Sequence, residues 1–136
     1  MVSIDIDNAA LIRELQESKT WQTKGYGFRM NFEIATPEFM KALAFCDQQA
    51  EERLLTRTRY WGLHIPAGET VYAHSHAAPF VVYYPDSCRL GWNPGALVER
   101  LQAGDWKFIA AGREHFVPMS TRDRYTVVGE YKQSDG

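Results

Sequence analysis

Three of the four histidines fall into a pattern that could hold a metal ion. His74 and His76 are two apart within Thr70 to His76, a stretch that reads as a β-strand, so both side chains leave the same face. Imidazoles spaced this way stand about 6–7 Å apart along a strand and can converge on one ion. His115 lies well downstream, in another predicted strand that follows a glycine turn. Three neutral imidazoles on stiff strands would form one face of a coordination sphere and leave the other open to water or substrate. An isolated His-x-His pair can also be two solvent-facing or hydrogen-bonded histidines, and it is the register with His115 that favours the metal site.

Other residues could serve such a centre. Tyr72 shares strand parity with His74 and His76, so it is expected to face the same interior, where a phenol could orient substrate or relay a proton. On the next strand Phe80, Val82 and Tyr84 alternate, which places Tyr84 on the pocket wall if Phe80 faces inward. Arg57 and Arg59 alternate with Thr56, Thr58 and Tyr60. A guanidinium such as that of Arg59, aimed inward, could clamp a substrate carboxylate, while a solvated sheet face explains the same alternation. The candidate catalytic residues are thus Tyr72, Tyr84 and Arg59. His64 could reach the metal or be a hydrogen-bonded strand residue. Cys46 sits on an apolar helix face and reads as packing. Trp61, Trp92 and Trp106 belong to the core or pocket wall. There is no nucleophile elbow, phosphate-binding loop, dinucleotide fingerprint or His-Glu-x-x-His motif.

The elements that must position these residues are legible in the pattern. Asn8 is expected to cap a short helix with Leu11, Ile12 and Leu15 on one face, and Gly25-Tyr26-Gly27 then breaks the chain. Phe28 to Ile34 alternates with period two and predicts an edge strand that could pair with its copy in a homodimer. Thr36-Pro37-Glu38 starts a second helix, with Phe39, Leu43, Cys46 and Ala50 on its apolar face, running to about Arg53. Eight further strands are predicted: Thr56 to Ile65, Thr70 to His76, Phe80 to Tyr84, Cys88 to Trp92, Leu97 to Leu101, Trp106 to Ala110, Glu114 to Met119 and Tyr125 to Tyr131. The tail from Lys132 to Gly136 reads as loose.

With 136 residues the chain is expected to be one domain, an N-terminal extension over residues 1–55 followed by a barrel core over 56–131. A net charge of −2 argues against a nucleic-acid or anionic-membrane partner. No apolar run reaches the roughly 20 residues of a membrane helix, the first residues do not read as a signal peptide, and two distant cysteines read as thiols. A cytoplasmic location is the resulting expectation.

Two segments resemble the paired motifs of the cupin superfamily. Gly68-x5-His74-x-His76 is similar to G-x5-H-x-H-x3,4-E-x6-G, and Gly104-x5-Ala110-x-Gly112-x2-His115 to G-x5-P-x-G-x2-H-x3-N. The resemblance covers about residues 60 to 131. It implies a mainly β, cupin-type barrel (double-stranded β-helix or jelly roll) with two N-terminal helices, and His74, His76 and His115 on one divalent metal. The chain departs from the motifs at the glutamate, where Phe80 or Val81 stands, at the first motif's closing glycine, and at Ala110 and Met119. A dication held by imidazoles alone keeps its full charge and favours an anionic, chelating small-molecule substrate. The resemblance makes a three-His non-haem Fe(II) dioxygenase the first expectation, with Zn, Ni or Mn acceptable to the same ligands. The alternatives are an isomerase or lyase of a small carboxylate, and a non-catalytic metal or ligand sensor.

Overall fold

The computed structural model describes residues 4–24 and 27–134. Among these lie two helices, α1 (Asn8–Glu17) and α2 (Pro37–Glu51), and ten strands. The strands are β1 (Gln22–Lys24), β2 (Phe28–Asn31), β3 (Leu55–Ile65), β4 (Val71–His74), β5 (Phe80–Tyr83), β6 (Cys88–Trp92), β7 (Leu97–Leu101), β8 (Trp106–Ile109), β9 (His115–Val117) and β10 (Arg124–Gln133).

The first helix starts one residue before the expected cap. Asp7 is the N-cap, its carboxylate accepting from the Ala10 amide at 3.0 Å. Asn8 instead accepts a hydrogen bond from the Tyr83 hydroxyl at 2.5 Å, tying the helix to the sheet below. At the start of α2 the Thr36 hydroxyl makes no capping bond. Its place is taken by Glu14 of α1, whose carboxylate accepts from the amides of Glu38 (3.1 Å) and Phe39 (2.9 Å). A negative group there also meets the positive end of the helix dipole.

The strands form two antiparallel sheets, one of six strands in the order β1-β2-β3-β10-β5-β8 and one of four in the order β4-β9-β6-β7. Strand alternation then creates two cores. Odd residues of β5 and β10 (Val81, Tyr83, Val127, Tyr131) face the helices and meet Leu11, Leu15, Phe39, Leu43 and Cys46. Even residues (Phe80, Val82, Val128) face the four-stranded sheet and pack with Trp61, Leu90, Leu101 and Ile109. Both faces of β5 are therefore covered, which explains its unbroken apolar run, Phe-Val-Val-Tyr.

The two helices and the expected strands are found with ends shifted by a few residues. Gly68, Gly104 and Gly112 adopt φ of 84°, 92° and 79°, the left-handed region that glycine enters without penalty. Two further expectations are corrected. Phe28 to Ile34 is not an edge: the strand stops at Asn31 and lies between β1 and β3, so it offers no free edge to a second copy. The edge is β1, too short to show a periodicity. The tail is ordered further than expected, since β10 continues to Gln133 along β3. The break at Gly25 and Tyr26 lies outside the described residues.

Candidate metal centre

His74 and His115 are direct partners across β4 and β9. His76 follows just beyond β4, where its carbonyl accepts from the Gly112 amide at 2.8 Å and so ties the two histidine-bearing loops together. The ring centroids of His74 lie 4.7 Å from His76 and 4.4 Å from His115, and those of His76 and His115 are 5.1 Å apart. One nitrogen from each ring lies within 4.8 Å of the others. Ligands on one ion with bonds of about 2.1 Å need to stand roughly 3–3.5 Å apart, a change that small ring rotations supply.

The tautomers suit this use. His74 Nδ1 is 2.8 Å from the Tyr72 carbonyl and His115 Nδ1 is 2.9 Å from that of Arg113. A carbonyl can only accept, so both Nδ1 atoms carry a proton and Nε2 is the atom of each ring left to meet a metal. Burial, then the proximity of His74 and His115, lowers the pKa of His76 to about 4. His115, only 5 % exposed, is lowered too, chiefly by burial. Both are neutral imidazoles at ordinary pH, the form that binds a metal.

Phe80 occupies the inward position that the resembling motif gives to glutamate, and its ring stacks on His76 with centroids 4.2 Å apart. Val81 points to the helix side. Glu130, the strand partner of Phe80, is engaged elsewhere: Arg59 donates to both of its carboxylate oxygens at 3.1 Å. The donor set of imidazoles alone fits a divalent ion and leaves its remaining positions to exogenous ligands.

From this cluster a cavity of about 230 Å³ runs between the sheets, walled by Trp61, Leu63, Val82, Leu90, Ile109 and Val128. That exceeds the ~150 Å³ apolar void known to admit benzene, so a small organic molecule fits.

The other candidate residues are placed as follows. Tyr84 lines the cavity and is buried, and burial raises its phenol pKa far above the ordinary value. Arg59 also lines it, held by Glu130 and lying over Trp61 at 5.1 Å rather than free to clamp a carboxylate. Tyr72 does not face the interior and is 82 % exposed. Its parity argument fails because Val71 pairs with Val117 and His74 with His115, so β4 carries one extra residue between them. Such a bulge reverses the faces. His64 lies on the helix-side face, stacked on Tyr125 at 4.5 Å and accepting from Arg29 Nε at 2.9 Å. It is not part of the cluster. Cys46 is buried and Cys88 half-buried, both as thiols. Sequence reading missed Arg124, Thr126 and Glu130, which line the cavity from β10. Their shared parity with Val128 was the available signal.

No protein-family model and no curated protein matches the sequence. Solved structures do. A cupin domain from Bordetella pertussis Tohama I superposes with a TM-score of 0.54 at 18 % identity, over 82 % of this chain and 99 % of that one. This chain has the cupin fold. The same cupin architecture superposes on KdgF from Halomonas sp. (TM-score 0.52, 14 % identity, 87 % and 92 % covered). It also matches a prolyl hydroxylase of Trichoplax adhaerens, solved with a hypoxia-inducible-factor oxygen degradation domain peptide fragment. There the TM-score is 0.67 at 15 % identity, over 91 % of this chain and 77 % of that one.

Proposed function

We propose that this cupin is a metal-dependent enzyme of small chelating organic anions, with His74, His76 and His115 holding one divalent ion and Fe(II)-dependent dioxygenation as the reaction class. The observation that carries the reading is the convergence of three imidazole nitrogens at one end of a cavity sized for a small molecule. An ion bound there supplies Lewis acidity and, as Fe(II), electrons for reaction with O₂. The chain's own residues do the rest. The Tyr72 and Arg113 carbonyls hold the ligand rings in the metal-binding tautomer. Apolar walls keep water from the substrate and strengthen every charge interaction inside. Tyr84 stays protonated and offers a hydrogen-bond donor at the wall. The Arg59–Glu130 pair stands beside Phe80, so the Glu130 carboxylate is neutralised by its own partner and does not compete with an anionic substrate.

The test begins with anaerobic purification and metal analysis. It continues with loading by Fe(II) and O₂-uptake measurements over a panel of thiols, β-diketones and carboxylates. We expect about one equivalent of metal, lost in His76→Ala and His115→Ala, and O₂ uptake with at least one compound. Failure of the unaltered chain to retain any divalent metal overturns the reading. Metal-dependent turnover without O₂ replaces dioxygenation by an isomerase or lyase reaction. Tight metal binding with no turnover replaces the enzyme by a sensor.

A further inference from the structure

The cavity has a second polar end, on β10. Arg124 and Thr126 stand two apart on that strand, so they share a face; both line the cavity and each is only 5 % exposed. Arg124 Nη2 donates to the Glu69 carbonyl at 2.7 Å and Nη1 to that of Pro118, which leaves Nε without an acceptor. The Thr126 hydroxyl has no partner either. Among the described residues no carboxylate lies within ion-pair distance of Arg124. A buried cation without a counter-charge and a buried hydroxyl without a bond are each unfavourable. Here they stand two positions apart on one strand face and line the same cavity, where one bound oxyanion would satisfy both.

The surroundings agree in sign. A surface cleft of about 290 Å³ adjoins this end, shares Arg124 with the cavity, and is lined also by Arg89, Arg100 and Arg122. Arg122 is paired with Asp86 at 3.1 Å, and among the described residues no ion pair engages Arg89 or Arg100. The field there is positive and draws anions inward. Thr126 lies four residues along β10 from Glu130, the partner of the Phe80 that stacks on His76. That is about 13 Å of strand, so the two polar ends are separate sites in one cavity.

We infer that Arg124 Nε and the Thr126 hydroxyl bind a carboxylate of the substrate, which makes the substrate a bifunctional organic acid: one group on the metal, a remote carboxylate at Arg124. This rests on the cavity being the substrate site, and it is tested without turnover. The full chain, as purified and again after stripping with a chelator, is titrated calorimetrically with pentanoate and with its neutral isostere pentanamide. Pentanoate should bind at least tenfold tighter than pentanamide in both states. Thr126→Val should weaken pentanoate by roughly tenfold, the weight of one hydrogen bond to a charged group. It should leave the melting temperature unchanged or higher, because that hydroxyl has no bond to lose, and Thr126→Ser should restore affinity. Arg124→Met should abolish the discrimination, and its loss of two loop contacts is followed separately by its melting curve. Equal affinity for the two probes, no binding of pentanoate, or a Thr126→Val variant that melts lower yet binds pentanoate normally overturns the inference. A chain that retains no metal yet still prefers pentanoate refutes the metal reading and leaves the anion site standing.

Discussion

At the scale of single residues, one of the departures from the resembling motifs falls at a ligand position. Phe80 lies against His76 where a glutamate would complete the sphere. Phe80→Glu should therefore raise divalent-metal affinity at least about tenfold, since a carboxylate ligand adds to three imidazoles. It should lower the metal-free melting temperature, because a buried phenylalanine is worth about 3–5 kcal/mol. Competition with a chromophoric chelator and a thermal melt read the two effects; unchanged metal affinity would show that position 80 cannot reach the ion. A second prediction concerns His64. Burial, then Arg29, holds its pKa below the ordinary value of about 6.5. The unfolded chain therefore takes up the proton first as pH falls, so the stabilisation from neutral His64 is complete above about pH 6.5 and declines below it. In metal-free protein, His64→Gln should flatten part of the drop in melting temperature between pH 7 and pH 5. A drop as steep as in the unaltered chain would place the acid sensitivity elsewhere.

At the scale of elements, the bond from Glu14 to the start of α2 joins two helices through a single carboxylate. Glu14→Ala should cost about 0.5–2 kcal/mol, the range for losing a helix cap, read from the urea midpoint at unchanged slope. Thr36→Ala should cost less, because its hydroxyl caps nothing. This pair also marks what the sequence could tell. Thr-Pro-Glu announces a helix start correctly, but the group that caps it comes from a distant part of the chain and no local pattern reveals it. The histidines were legible for the opposite reason: their spacing, with Gly68, Gly104 and Gly112 at positive φ, encodes strand and turn geometry locally. Tyr72 was misplaced because one extra residue in β4 flips its face, and a bulge leaves no mark on alternation. Arg124 and Thr126 escaped because their importance lies in lacking partners, which depends on everything packed around them.

At the scale of the whole molecule, two cores share one sheet. The helix layer fills one side and the cavity wall fills the other, with β5 and β10 contributing alternate residues to each. Phe39 belongs only to the helix side and is fully buried. Phe39→Ala should cost about 3–5 kcal/mol of stability while leaving metal stoichiometry unchanged at temperatures where the chain stays folded. Denaturation and metal analysis on one preparation check both parts; loss of metal from a folded variant would mean that the helix layer shapes the centre directly.

The histidine-bearing strands are unequal to the rest in one respect. His74 and His115 sit on β4 and β9, strands of four and three residues in a sheet that neither helix covers. Amide protons there should trade with deuterium in minutes, through local breathing, while those of β5 and β10 persist until the chain unfolds as a whole. The thin wall would then be the door by which a cation enters and leaves, and loading the ion should slow exchange at β4 and β9 far more than anywhere else.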